Sequence, residues 1–287
     1  MELEPIGIWS GQLRRADPAA IADAAAELDE LGYGTIWIPG GRGGDVFGDV
    51  ARLLDATARA TVATGILNVW MHSPEETASG HASLMADHPG RFLLGLGVSH
   101  EPAVTDSGQV YARPLTKMRE YLDALDATSP PVPAGERMLA ALGPRMLELA
   151  RDRSAGAHPY LVAPEHTALA REMLGEGPLI APEVMVVLDD DADRARAVAR
   201  QHLSRYLGLP NYTNSFKRHG FTDDDLLEGG SDRLVDGLIA WGDLDAIAAR
   251  IAEHHAAGAD HVCVQVLQAD AAALPREGWR QLAGALL

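Results

Sequence analysis

Cysteine occurs once in the 287 residues, at Cys263, so no internal disulfide can form. It lies in the apolar run His261–Val266, which reads as a buried strand and gives the thiol inert packing as its default role. Lysine is almost as scarce. Only Lys117 and Lys217 occur, and arginine supplies the remaining positive charge. Against 41 acidic residues this leaves a formal net charge of −17. A surface of that sign repels phosphate backbones and anionic lipid, which excludes nucleic acid and membrane surfaces as natural partners. Any anionic ligand must be held by local arginines and backbone N–H groups, against the field of the whole protein. The shortage of lysine points to a neutral or apolar small-molecule substrate. No apolar run approaches the roughly 20 residues of a membrane span, and no low-complexity tract marks a linker. Met1–Pro5 is acidic and lacks the basic region and apolar stretch of a secretory signal, so a cytoplasmic location is expected.

What is present is enough for one large core, since 47% of residues are hydrophobic. The length suits a single domain over 1–287 built as an α/β barrel, a fold that takes about 250 residues. Short β-rich runs alternate with longer amphipathic ones from end to end, the pattern of βα units around a parallel sheet. Strands are expected at Pro5–Ser10, Tyr33–Ile38, Val62–Val69, Arg91–Val98, Met138–Leu142, Ala155–His158, Glu183–Leu188 and Asp260–Leu267. Asp17-Pro18 opens the first helix with an acidic cap and a proline at its first position, and Gly32 closes it. Ser73-Pro74-Glu75-Glu76 is a capping box that opens another. A larger helical block, about 191–257, separates the seventh and eighth strands. Eight strands in this order predict a closed (β/α)8 TIM barrel with a helical insertion between strands 7 and 8; an open doubly wound sheet is the alternative.

In such a barrel the residues after each strand form the active-site mouth. Gly95-Leu-Gly-Val-Ser-His100 begins like a dinucleotide fingerprint, but His100 stands where the last glycine belongs and no helix is expected to open there. Pro39–Asp45 lacks the lysine and hydroxyl residue of a P-loop. Close backbone approach in a turn accounts for both. Gly143-Pro144-Arg145 is more promising, because it puts free N–H groups and an arginine at a helix start directly after a strand, a ready phosphate site. The histidines show no metal-ligand spacing, so no metal site is expected. His72 and His100 follow the third and fourth strands and are candidate proton donors, although a lone strand-end histidine is more often a structural hydrogen-bonder. No Gly-x-Ser-x-Gly elbow is present, so an activated serine is not expected.

Val62–Asn68 followed by Ser73-Pro74-Glu75, and then His88–Val98, resemble the core of luciferase-like flavin and deazaflavin oxidoreductases. Ala140–Ala150, Gly156–Tyr160, Pro164–Thr167, Tyr206–Tyr212, Gly230–Asp236 and Ala257–Val262 resemble more specifically the actinobacterial coenzyme F420-dependent oxidoreductases. The resemblance implies a cofactor ring backed by a non-prolyl cis peptide at Gly65-Ile66, next to Asn68, and bordered by Gly97, Val98 and Ser99. It implies a phosphate-bearing tail along Leu142, Gly143, Pro144 and Arg145, walled by His158, Pro159 and Tyr160. The implied chemistry is hydride transfer between coenzyme F420 and a small organic substrate. Two alternatives stand beside it: an FMN-dependent monooxygenase using reduced flavin and oxygen, and a non-catalytic barrel with a degenerate cofactor site. The histidine that sugar-phosphate dehydrogenases of this superfamily place after strand two is replaced here by Pro39-Gly40, which argues against glucose-6-phosphate. Homodimers are usual in the family, and the second and third helices are candidates for the interface.

Overall fold

Each run expected as a strand is one in the computed structural model, which describes residues 3–41 and 43–287. The strands are β1 (Ile6–Trp9), β2 (Thr35–Gly40), β3 (Thr61–Asn68), β4 (Phe92–Gly97), β5 (Arg137–Leu139), β6 (Gly156–Ala157), β7 (Leu179–Ile180), β8 (Glu183–Val187), β9 (Ile239–Trp241) and β10 (Val262–Val266). Every pairing between them is parallel. The helices are α1 (Pro18–Leu31), α2 (Val46–Ala56), α3 (Pro74–Asp87), α4 (Glu101–Asp106), α5 (Pro114–Asp126), α6 (Pro144–Arg153), α7 (Pro164–Leu174), α8 (Ala192–Leu203), α9 (Pro210–Arg218), α10 (Asp232–Leu238), α11 (Leu244–Ala256) and α12 (Arg276–Leu286).

Neighbouring strands pair in chain order from β1 to β7. The chain then passes through Ala181-Pro182 into β8, which pairs with β10, and β10 pairs with β1 at Ile6 and Val262. Hydrogen bonds bridge the β7–β8 join on both sides: Ala181 N–H to Ala157 O, Glu183 N–H to Pro159 O and Cys263 N–H to Pro182 O, at 2.8–3.0 Å. β7 and β8 are therefore two halves of one strand, interrupted by a proline that cannot donate to the ladder. The circuit closes as an eight-stranded barrel. The open-sheet alternative fails at this join.

β9 is the exception to the sequence reading. It lies inside the helical block expected over about 191–257, interrupted only at Gly208–Asn211 and Gly229–Ser231, and pairs with the upper half of β8, from Met185–Ile239 to Val187–Trp241. α8, α9 and α10 precede it, packing on their own apolar cluster around Leu203, Phe216, Leu234 and Leu238. The helix signals read from sequence are realised. The Asp17 carboxylate accepts the N–H groups of Ala19 and Ala20, Gly32 takes the left-handed conformation (φ 98°), and Ser73 Oγ accepts the Glu76 N–H. The loop after β4 needs a correction: it is not structureless, because α4 opens immediately after His100 with Pro102 in its first turn.

The barrel interior is filled rather than open, as in other barrels of this kind. Trp9, Trp37, Met138 and Cys263 fill it. The His158 ring stacks on Trp37 at 4.2 Å, and Trp37 Nε1 donates to His261 Nε2 at 3.0 Å. Cys263 is fully buried against this plug and its thiol is pushed up by burial, in keeping with inert packing. Among the described residues, no helix is long and apolar enough to cross a membrane, and no group of three or more His, Cys, Asp or Glu could hold a metal ion.

Candidate active site

The C-terminal ends of the strands open into a cavity of about 1220 Å³. Its floor starts from a bulge in β3. The register of β3 against β4 shifts between Ala63 and Leu67, and the peptide between Gly65 and Ile66 is cis, as the resemblance implied. The bulge explains the glycines of β4. A Cβ on Gly95 would lie 1.8 Å from the Thr64 carbonyl oxygen, and one on Gly97 would lie 2.5 Å from Ile66. Thr64 Oγ1 ties the bulge down by donating to Gly95 O at 2.8 Å and accepting the Gly95 N–H at 2.9 Å. Close backbone approach is the right reading of that segment, but within a strand and not in a turn.

Two aromatic rings hold the floor from beneath. Trp9 Nε1 donates to Gly65 O at 3.3 Å. The His158 Nδ1–H donates to Ala181 O at 2.7 Å, which leaves Nε2 as an acceptor with no protein partner. Burial pushes His158 down to about 4, so the ring is neutral at physiological pH. His158, expected along the cofactor tail, lines the cavity with its ring beside Gly65. Tyr160 lines the cavity beside it, and Pro159 contributes its carbonyl to the barrel ladder and does not line the cavity.

Of the remaining expected residues, Val98, Ser99, Leu142, Gly143, Pro144, Arg145 and His100 also line the cavity. Ser99 has a positive φ of 55°, which turns the chain at the end of β4. Asn68 is buried behind the rim, donating to Gly41 O and accepting the Trp70 N–H. Gly97 faces Ile66. The start of α6 has no side-chain cap and no acidic residue in its first turn, and a Cβ on Gly143 would meet no atom within 4 Å.

The two candidate histidines part company. His100 faces the cavity, its Nδ1 buried without a partner and its ring 5.4 Å from Tyr212. Burial lowers its pKa, against an opposing hydrogen bond in which the ring faces Asn211 as the acceptor. His72 lies elsewhere, on a separate hollow of about 410 Å³ lined by Trp70, Lys117 and Tyr121. Its Nδ1 is 3.2 Å from the Glu76 carboxylate.

The sequence reading named no residue from the segment between β8 and β10 for the cavity. Tyr206 and Tyr212 close it from above, and Tyr206 O–H donates to Tyr160, which donates in turn to Gln265 Oε1 at 2.8 Å. Burial raises Tyr206 to about 12, so the phenol stays protonated. The charge of the lining is the strongest departure from the rest of the molecule. Arg14, Arg15, Arg145, Arg205 and Arg218 line the cavity, and among the described residues no aspartate or glutamate does.

A barrel with a bulged third strand at the floor of such a mouth defines a class. The chain belongs to the luciferase-like monooxygenase family, whose model matches residues 4–261. A protein of Mycobacterium tuberculosis provisionally named as a coenzyme F420-dependent oxidoreductase is 26% identical over 88% of this chain and 91% of its own. Among solved structures, an F420-dependent secondary alcohol dehydrogenase holding an F420–acetone adduct superposes with a TM-score of 0.76 at 15% identity, covering 100% of this chain and 98% of that one. The oxygenating component of 3,6-diketocamphane monooxygenase from Pseudomonas putida, a type II Baeyer–Villiger enzyme with FMN bound, superposes with a TM-score of 0.70 at 16% identity, covering 98% and 96%.

Proposed function

We propose that the protein is a coenzyme F420-dependent oxidoreductase acting on a small organic substrate. The observation that carries this reading is the inverted charge of the cavity. Acidic residues outnumber basic ones 41 to 24 in the chain, yet five arginines and, among the described residues, no carboxylate line the cavity. Among the described residues only Arg14 of these five is paired, with Asp49, so the lining keeps an excess of positive charge that favours an anionic ligand. A deazaflavin with a phosphate-bearing anionic tail fits that lining. Its ring would lie on the Gly65-Ile66 bulge beside Val98 and Ser99, and its phosphate at the uncapped start of α6, with Arg145 and Arg218 along the tail. When bound, such a cofactor supplies hydride chemistry at its central ring carbon.

The protein's own part is positioning and proton handling. Ser99 and the bulge fix the ring plane, and Tyr206 and Tyr212 cover the space above it. His100, neutral and with a free ring nitrogen, is the group we assign to exchange a proton with the substrate oxygen. The names of the Mycobacterium tuberculosis relative and of the alcohol dehydrogenase support this choice. We assign a cytoplasmic, homodimeric enzyme on the strength of the family resemblance.

A fluorescence titration with each cofactor tests the proposal. Coenzyme F420 is expected to bind at micromolar concentration, and FMN about tenfold or more weakly, because the FMN chain ends at its phosphate whereas the F420 tail continues past its phosphate into carboxylates that the arginines can bind. Tight FMN binding without F420 binding would establish the monooxygenase reading in its place. Failure of both with the fold intact would leave a non-catalytic barrel.

A further inference from the structure

The cavity arginines differ from those elsewhere in how they are paired. On the outer surface arginines are matched to carboxylates, as in Arg194 with Asp189, Arg196 with Asp236 and Arg276 with Glu27. Arg14 is held by Asp49 and by the carbonyls of Pro39 and Gly43. Arg15, Arg145, Arg205 and Arg218 line the cavity without an ion pair among the described residues. They form two groups. Arg218 donates to Leu142 O at 2.9 Å, which sets it beside Arg145 at the start of α6, above β5. Arg15 follows β1 and lies across Gly11, where a Cβ would be 2.8 Å from its guanidinium. Arg205, just after α8, and Arg15 both bear on the His202 ring, which has a buried Nε2 with no partner. In an eight-stranded barrel β1 and β5 stand opposite each other, so the two groups occupy opposite ends of one cavity.

We propose that Arg15, His202 and Arg205 form an anion subsite at the β1 end of the cavity that receives a carboxylate or phosphate of the substrate. Its assignment to the substrate rests on the reading above, in which the cofactor tail leaves the ring toward α6 and so occupies the other end. Both guanidinium groups bear on the one neutral His202 ring with no carboxylate paired to either among the described residues, and a bound anion would offset that positive charge while taking charge-assisted hydrogen bonds. Gln12 and Gln268 line the cavity too, but their amides donate to the carbonyls of Ala271, Asp270 and Ala273, which leaves the arginines as the groups that meet an anion. The substrate class is therefore an anionic organic molecule, which replaces the neutral or apolar one suggested by the scarcity of lysine.

The test uses benzoate and benzyl alcohol as a charged and a neutral ligand of similar size, with coenzyme F420 titrated separately, in the full-length protein. Calorimetry is run on wild type, R15Q/R205Q and R145Q/R218Q. All four arginines are exposed, so both double variants are expected to melt with the wild type. R15Q/R205Q is expected to weaken benzoate about tenfold while leaving benzyl alcohol and F420 within about twofold. R145Q/R218Q is expected to weaken F420 about tenfold and benzoate little. Loss of F420 affinity in R15Q/R205Q equal to that in R145Q/R218Q would give the site to the cofactor tail and overturn the proposal. So would benzoate binding that is undetectable in wild type, or unchanged in R15Q/R205Q. If F420 fails to bind wild type while benzoate still separates the variants, the cofactor reading falls and the anion subsite stands.

Discussion

At the scale of single residues, the cavity floor depends on how little space Gly65 occupies. A Cβ there would sit 2.6 Å from Trp9 Nε1 and 2.8 Å from His158 Nε2, parts of rigid rings that pack edge-on to Tyr160 and stacked on Trp37 respectively. Gly65→Ala should therefore displace the floor itself. We expect a stability loss of about 1–3 kcal/mol by thermal melting, the usual cost of overpacking. F420 affinity should fall about tenfold in the fluorescence titration, because the displaced floor misplaces the ring by a fraction of an ångström. A variant that melts lower but binds as well as wild type would remove Gly65 from the cofactor site. The bulge at Gly65-Ile66 was legible only through resemblance, since nothing in the spacing of one glycine announces it. His72 and His100 show the limit of residue-level reading. Both follow a strand, but the chain leaves β3 and β4 in different directions, and only the one leaving β4 returns its histidine to the cavity. His158 reaches the cavity from a strand too short to carry a pattern. β6 is two residues long, and the following turn carries the ring inward to Ala181.

Elements with strong local signals were read correctly. Capped helices such as α1 and α3, and strands of four or more residues, fall within a few positions of expectation. β7 and β9 escaped because two or three apolar residues carry no periodicity, and β9 follows α10 with no turn residue between them. Its strand geometry comes from the exposed edge of β8, a tertiary cause. The connection from α2 into β3 shows how side chains set element positions. The Asp29 carboxylate on α1 accepts the N–H groups of Ala58, Arg59 and Ala60 at 2.7–3.1 Å. Burial alone would raise this carboxyl, but those three donors outweigh it and hold it below its ordinary value. Asp29→Ala removes the acceptor for three backbone donors just before β3, so we expect a loss of about 2–4 kcal/mol in urea unfolding. An unchanged midpoint would show that water replaces the carboxylate without cost.

At the scale of the whole molecule, the (β/α)8 architecture was legible in the alternation of elements, whereas the cavity's charge was not. Arg15, Arg205 and Arg218 are ordinary helix-flanking residues in the sequence, and only closure of the barrel brings them to one space. The buried histidines make stability depend on pH. Burial first of all pushes His81, His158, His166, His202 and His261 down to about 4 and His254 to about 3, from an ordinary 6.5. Below 6.5 the unfolded chain takes up protons that the folded one refuses, so stability must fall as pH drops from 6.5 toward 4. Glu183 has the opposite sign. Burial raises it to about 8, so its contribution declines as pH rises from 4.5 to 8. Melting curves should show the wild type losing stability on both sides of neutrality, by a few kcal/mol at about pH 5. Glu183→Gln should flatten the slope between about pH 6.5 and 8 and steepen the acid limb between about pH 4.5 and 6.5, where Glu183 opposes the histidines; a variant with an unchanged alkaline slope would show that Glu183 is ionised in the fold. One further consequence concerns traffic. An acidic exterior and an arginine-lined interior act on the same anion with opposite signs at different distances. Approach is resisted and departure is resisted too, so an anionic visitor meets a slow entrance and a long stay, and added salt quickens both passages.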